Sequence, residues 1–327
     1  MIRSLAILIV ILTSASRAWA CASCGCTLSP NFDNFSDSGF KIDLRYDYVN
    51  QNQLRHGTSS ISGTAASQMS NNGNSQEVES YTDNRYITAS GDYTFNSSWR
   101  ATAIIPWVVR SHSTLGTASN GGSPGPGGGQ YTSNTSNLGD IKLIGRYQGF
   151  LDTHSFGTLF GLKLPTGVHN LTGTSTDNTA QGPAPIDRGL QPGTGTTDLI
   201  LGVYYSEAMN KSWDLFTEGI YQYALNSIDQ YRPGDSINAN LGLRYMNWTQ
   251  IIPQLQINAR YVVHDSGANS DTISTGGTII YLSPGAAFPV MPKLDIYAFF
   301  QVPIYENLLG VQLAPSYTAS FGGRYSF

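Results

Sequence analysis

A period-two alternation governs this chain from Phe40 to its last residue. In Phe40-Lys41-Ile42-Asp43-Leu44-Arg45-Tyr46-Asp47-Tyr48, one parity is Phe, Ile, Leu, Tyr and Tyr, and the other is Lys, Asp, Arg and Asp. Successive side chains of a strand point to opposite faces, so the segment has one oily and one ionic face; a helix would mix the two sets. The same parity returns at Trp99 to Arg110, where Ala101, Ala103, Ile105, Trp107 and Val109 oppose Arg100, Thr102 and Arg110. It returns again at Asp140 to Gln148, where Ile141, Leu143 and Tyr147 oppose Asp140, Lys142 and Arg146.

Segments of this kind predict about twelve strands, near 40–50, 80–95, 98–111, 138–149, 154–166, 196–207, 212–224, 235–247, 250–264, 276–287, 292–304 and 315–327. Each is close to the ~10 residues that cross a bilayer at a tilt. Long polar connections (51–79, 112–137, 167–195) follow the first, third and fifth strands. Tight turns follow even ones, at 96–98, 151–153, 209–211 and 247–249. The expected fold is therefore all-β, a transmembrane up-and-down antiparallel β-barrel of about 12 strands over 40–327, with different aqueous sides at its two ends.

Alternation alone does not say which face is outside. A soluble barrel turns its apolar face inward, and a barrel in lipid does the reverse. Only 12% of the residues are charged, about half the share of a soluble domain. Trp99, Trp213 and Trp248 fall at the short-turn end, where an aromatic girdle would sit. The ending Ser320-Phe321-Gly322-Gly323-Arg324-Tyr325-Ser326-Phe327 resembles the C-terminal strand of bacterial outer-membrane barrels. The lipid orientation is favoured. It puts Ile42, Leu44, Tyr46, Ala103, Ile105, Ile141, Leu143, Phe160, Leu162, Leu199, Leu201, Leu241, Leu243, Leu255, Ile257, Ile296, Phe300, Phe321 and Phe327 outside. Pro106, Pro165 and Pro303 lie inside strand patterns with inward parity. They predict bulges or breaks in the ladder, unless each strand simply ends there.

The first twenty residues read as a signal peptide: Arg3, an apolar run from Leu5 to Leu12, and the small-x-small site Ala18-Trp19-Ala20. Its removal takes Arg3 and Arg17 from the 18 Lys+Arg, leaving 16 against 22 Asp+Glu. That acidic balance, with no basic block, predicts no nucleic-acid partner. Residues 21–39 form a periplasmic tail holding all three cysteines, Cys21, Cys24 and Cys26. Three soft thiolates at this spacing suit copper(I) or zinc with a borrowed ligand, or a dithiol that meets a periplasmic redox partner. A disulfide plus a spare thiol fits the same spacing. It is not a c-type haem site, because Gly25 stands where His would be needed.

The lumen-lining candidates are Asp43, Arg45, Asp140, Lys142, Arg146, Lys163, Arg244 and Arg260. Either they pair into a salt-bridged interior, or some stay unpaired beside a water-filled path. About twelve strands give a narrow conduit at most, which excludes bulk protein transport. No Gly-x-Ser-x-Gly, His-Glu-x-x-His or phosphate-loop pattern is present, so no enzyme is expected. His56, His112, His169 and His264 fall in or beside the long loops, and Asn120 to Gly129 reads as a flexible loop.

Four strings resemble the bacterial outer-membrane transporter family of the MetA pathway of phenol degradation. They are Ile104-Ile105-Pro106-Trp107-Val108-Val109-Arg110, Leu138-Gly139-Asp140-Ile141-Lys142, Gly161-Leu162-Lys163-Leu164-Pro165-Thr166-Gly167 and Gly193-Thr194-Gly195-Thr196-Thr197-Asp198-Leu199. The resemblance implies a barrel in the cell outer membrane that passes small organic compounds. The Cys-rich tail is not part of that pattern; it is similar to the N-termini of barrels that partner periplasmic cytochromes. Two functions are therefore expected to compete: passive passage of a small organic or aromatic solute through a porin-like barrel, and a non-transporting scaffold whose tail binds metal or docks a redox partner.

Overall fold

The computed structural model describes residues 39–71, 74–75, 78–114, 131–175 and 183–327. The expected signal peptide, the three cysteines and the Asn120 to Gly129 run lie outside the described residues. The alternating segments form strands: β1 (Gly39–Gly57), β2 (Ser59–Ser60), β3 (Ser70–Asn71), β4 (Asn74–Ser75), β5 (Glu79–Thr94), β6 (Trp99–Thr114), β7 (Tyr131–Leu138), β8 (Lys142–Tyr147), β9 (Phe156–Lys163), β10 (Thr172–Ser175) and β11 (Pro183–Pro185). Then come β12 (Asp198–Ala208), β13 (Trp213–Ala224), β14 (Ser236–Tyr245), β15 (Ile252–Val262), β16 (Gly277–Met291) and β17 (Leu294–Ser326). One short helix, α1 (Gly63–Ser67), sits in the first long connection, capped by the Ser62 hydroxyl, which accepts the Ala65 N–H.

Antiparallel ladders join β6, β5, β1, β17, β16, β15, β14, β13, β12, β9 and β8 in that order, and β8 pairs back onto β6, closing the ring. β17 is one element of 33 residues, yet it supplies two crossings. Residues 294–308 pair with β16 and residues 311–326 with β1. Gly310, at a φ of 55°, lies at the fold-back; Phe300 then stacks on Tyr317 at 5.4 Å and the Ser326 N–H reaches the Lys293 carbonyl at 2.9 Å. With that hairpin counted twice, the wall has the twelve crossings that the alternation predicts.

Exposure settles which face is out. Leu44 is 56% exposed and Phe321 57%, whereas Asp43 is 3% and Asn258 0% exposed. The residues expected to face lipid are exposed, except that Ala103, Ile141, Leu199 and Ile296 are half-buried. An oily exterior around a polar interior is the arrangement that a bilayer, not water, stabilises. The short-turn end carries the expected girdle: Trp99 meets Tyr147 at 4.7 Å, Trp213 meets Tyr245 at 5.0 Å, and Trp248 meets Tyr245 at 5.5 Å.

The three prolines behave differently. Pro106 lies opposite a break, because β7 pairs with β6 at 107–113 and β8 pairs with it at 99–104, leaving 139–141 outside the ladder. At Pro303 the register with β16 slips, and Ile304 and Tyr305 are both exposed, which is a bulge. Pro165 is not inward: β9 ends at Lys163 and Pro165 is exposed beyond it, so there the strand simply ends.

Candidate functional site

Each ionic residue expected in the lumen is on the inner parity of its strand or, for Asp140, at the break between two strands. Asp43 pairs with Arg324 at 3.3 Å and accepts the Tyr297 hydroxyl at 2.8 Å. Arg45 meets Asp47 at 2.9 Å, and Arg244 meets Asp214 at 3.3 Å. Arg146 reaches Glu218 at 3.2 Å, with its guanidinium 5.2 Å from the centre of the Tyr204 ring. Lys163 lies between Asp198 at 2.9 Å and Asp140 at 3.2 Å. Lys142 and Arg260 differ: among the described residues, their polar partners are the amides of Gln222 at 3.3 Å and Asn238 at 2.8 Å. Six of the eight candidates are thus held in ion pairs and two are not.

Amides, which the sequence reading passed over, do as much of the lining. Gln256, Asn258 and Ser283 are 0% exposed and Gln301 1%. Asn258 donates to Asn240 at 2.8 Å and to Gln256 at 3.0 Å, while the Ser283 hydroxyl and the Gln301 amide donate to the Asn258 carbonyl oxygen at 2.6 and 3.2 Å. On the opposite wall the Asn84 amide donates to Gln51 at 2.5 Å and accepts from Arg110. All occupy the inner parity, so the signal was present. Amides escape a reading by charge, because uncharged polar residues stand on strands and loops alike. His112, buried on β6 and 2.8 Å from the Thr82 hydroxyl, also faces this interior rather than a loop.

The four family-like strings meet at one place, the break in the wall. Gly139 donates its N–H to the Pro106 carbonyl at 2.8 Å. Asp140 then accepts the Gly167 N–H at 3.0 Å through one oxygen, and the Thr194 N–H and hydroxyl, both at 2.9 Å, through the other. Lys163 also donates to the hydroxyls of Thr194 and Thr196, and Thr196 donates to Asp198 at 2.7 Å. The backbones cross so closely that a Cβ on Gly167 would stand 2.7 Å from the Gly193 Cα and 2.8 Å from the Gly139 carbonyl carbon. Only glycine fits that crossing. Beyond it β7 pairs with β10 instead of β9. Residues 186–191 lie under the long-loop end, where Arg110 donates to the Gly189 carbonyl at 3.1 Å and Ile186 is 2% exposed.

Such an interior offers hydrogen-bonding groups and charges on closely packed side chains. Among the described residues no group of three His, Cys, Asp or Glu is arranged to hold a metal; Cys21, Cys24 and Cys26 lie outside them.

No family model matches the sequence, and no curated protein matches it. Solved structures do. The fold is similar to an outer membrane channel from Pseudomonas putida F1, with a TM-score of 0.64 at 12% identity over 91% of this chain and 99% of that one. It is also similar to a deletion mutant of TodX, a monoaromatic hydrocarbon channel of Pseudomonas putida, with a TM-score of 0.50 at 12% identity over 90% of this chain and 92% of that one. At such identities the likeness concerns the barrel.

Proposed function

We propose that this chain is a channel of the bacterial outer membrane that gives a small organic solute, aromatic compounds included, passive passage down its gradient. The observation that carries the reading is the reversed polarity of a closed ring: oily side chains outside, hydrogen-bonding side chains within. That arrangement is stable where lipid surrounds the wall, and it sets hydrogen-bonding groups along the centre for a water-borne solute to meet. The barrels it is similar to, an outer membrane channel and a monoaromatic hydrocarbon channel, support the same reading. So do the four strings of the MetA-pathway resemblance, which converge on the wall break. The lumen is densely filled, so a solute moves by displacing side-chain hydrogen bonds rather than through an open bore.

The test is conductance. Purified protein in planar bilayers should give small discrete steps that respond to small aromatic solutes, and silence at every voltage and with every solute would remove the channel reading. A metal-holding or redox-docking role for Cys21, Cys24 and Cys26 rests on their C-x-x-C-x-C spacing alone. Equal metal content in the mature protein and its triple Cys→Ser variant would remove that role.

A further inference from the structure

We infer that Lys142 and Arg260 form a carboxylate-binding site in the lumen, so that the favoured solute is a small organic monoanion, its acid group held by the two cations and its apolar body by the adjoining wall. The inference deepens the channel reading and rests on it only in that a solute must reach the lumen.

Charge balance is the first argument. The acceptors of the two cations stand on neighbouring strands, Gln222 of β13 being paired with Ser236 of β14, two residues from Asn238, so Lys142 and Arg260 reach one stretch of the lumen. The carboxylates of Asp198 and Asp140 are held by Lys163 at 2.9 and 3.2 Å, so the ion pairs of this stretch leave Lys142 and Arg260 without a carboxylate of their own. Lys142 and Lys163 are direct cross-strand partners on β8 and β9, a like-charge placement that costs stability unless an anion offsets it.

Donor count is the second. An ammonium has three N–H donors and a guanidinium five. Among the described residues Lys142 gives one, to Gln222, across the lumen from β8 to β13. Arg260 gives one to Asn238, and its Nε is buried with no hydrogen-bond partner. Buried donors without acceptors are costly, and a carboxylate supplies two acceptor oxygens and the missing charge together.

The third argument is what flanks the cations. Arg260 on β15 is paired directly with Ile279 on β16. Ile279 belongs to an inward cluster with Tyr281, Leu308 and Ala314, each at most 5% exposed. In a lumen lined by amides and ions this is an apolar patch beside a cation. It suits a molecule with a carboxylate at one end and a ring at the other.

The experiment is equilibrium dialysis of radiolabelled benzoate, with benzyl alcohol as the uncharged comparison, against the full mature chain folded in detergent. Heat-modified gel mobility confirms the folded barrel. The expected result is one benzoate per barrel, bound more tightly than benzyl alcohol and weakened by salt. Lys142→Gln and Arg260→Gln should each lower benzoate affinity about tenfold or more while leaving benzyl alcohol unchanged. Arg260→Lys keeps the charge and should retain most of the affinity, and it serves if the glutamine variant does not fold. Lys211→Gln, in an exposed turn, should bind as the parent does. Equal binding of benzoate and benzyl alcohol, or benzoate affinity unaltered in Lys142→Gln and Arg260→Gln, overturns the site. Absent conductance with benzoate binding intact would instead overturn the channel reading and leave this site standing.

Discussion

The Pro106 carbonyl accepts the Gly139 N–H at 2.8 Å. In an antiparallel strand a residue's N–H and carbonyl face the same neighbour, so the side on which the proline has no donor is turned toward Gly139, Asp140 and Ile141, where the ladder is already interrupted. The proline thus leaves no unpaired acceptor in a continuous ladder. The defect in one strand is matched to the defect in the next.

Asp140 is what closes that interruption, since it binds two backbone N–H groups and the Lys163 ammonium. Asp140→Ala should lower stability by about 3–5 kcal/mol, the usual cost of removing one partner from a buried ion pair. The measurement is denaturant unfolding in lipid vesicles. Asp140→Asn keeps acceptor oxygen and should lose less; an equal loss in the two variants would place the effect in the charge alone.

The glycine crossing gives a steric prediction. At Gly167 a Cβ meets backbone at 2.7 and 2.8 Å, which cannot swing aside, whereas at Gly189 a Cβ meets nothing within 4 Å. Gly167→Ala should therefore destabilise by about 1–3 kcal/mol, as overpacking does, and Gly189→Ala should be close to neutral. Matching unfolding curves for the two variants would contradict the crossing.

Arg146 and Glu218 test whether the lumen's ion pairs serve stability. Both side chains are nearly inaccessible, 3% and 5% exposed. Arg146→Met alone strands a buried carboxylate and should cost about 3–5 kcal/mol. Arg146→Met with Glu218→Leu should recover most of that loss. A double variant as unstable as the single would mean that the guanidinium's contact with Tyr204, not the pair, holds this region.

Lipid contact predicts a depth-dependent penalty. Leu241 lies mid-strand on β14 and is 47% exposed, while Met246 is in the turn that follows and is 36% exposed. Leu241→Arg should cost about 2–4 kcal/mol of folding into vesicles and Met246→Arg about 0–1 kcal/mol. Equal penalties would argue that the outer face is not in hydrocarbon.

The sequence was most legible where geometry is forced by parity. A one-residue slip turns every side chain to the other face, so Leu44 and Asp43 could be sorted to opposite faces directly, and the low charge content and the tryptophans then chose which face is out. The strand ends were less legible. β1 continues to Gly57 and the last hairpin turns at Gly310, because polar residues such as Gln51 and Gln312 lie on strands and loops alike. Hidden altogether was the meeting of Gly139, Gly167 and Gly193, which depends on three chain segments approaching in space and leaves no periodic trace. Asp140 and Lys163 could be picked as inward charges, but not as the clasp over that crossing.

The pairing of β1 with residues 311–326 has a consequence for how the ring is made. These are the described strands furthest apart along the chain, yet they share the longest set of register partners, from Lys41 with Ser326 to Gly57 with Leu308. Every other joint in the ring can zip up between segments closer in sequence. This one must wait, leaving two bare hydrogen-bonding edges until the final hairpin arrives. The seam is therefore the last joint to shut, and a chain cut short before Val311 would have a curved sheet with nothing to meet.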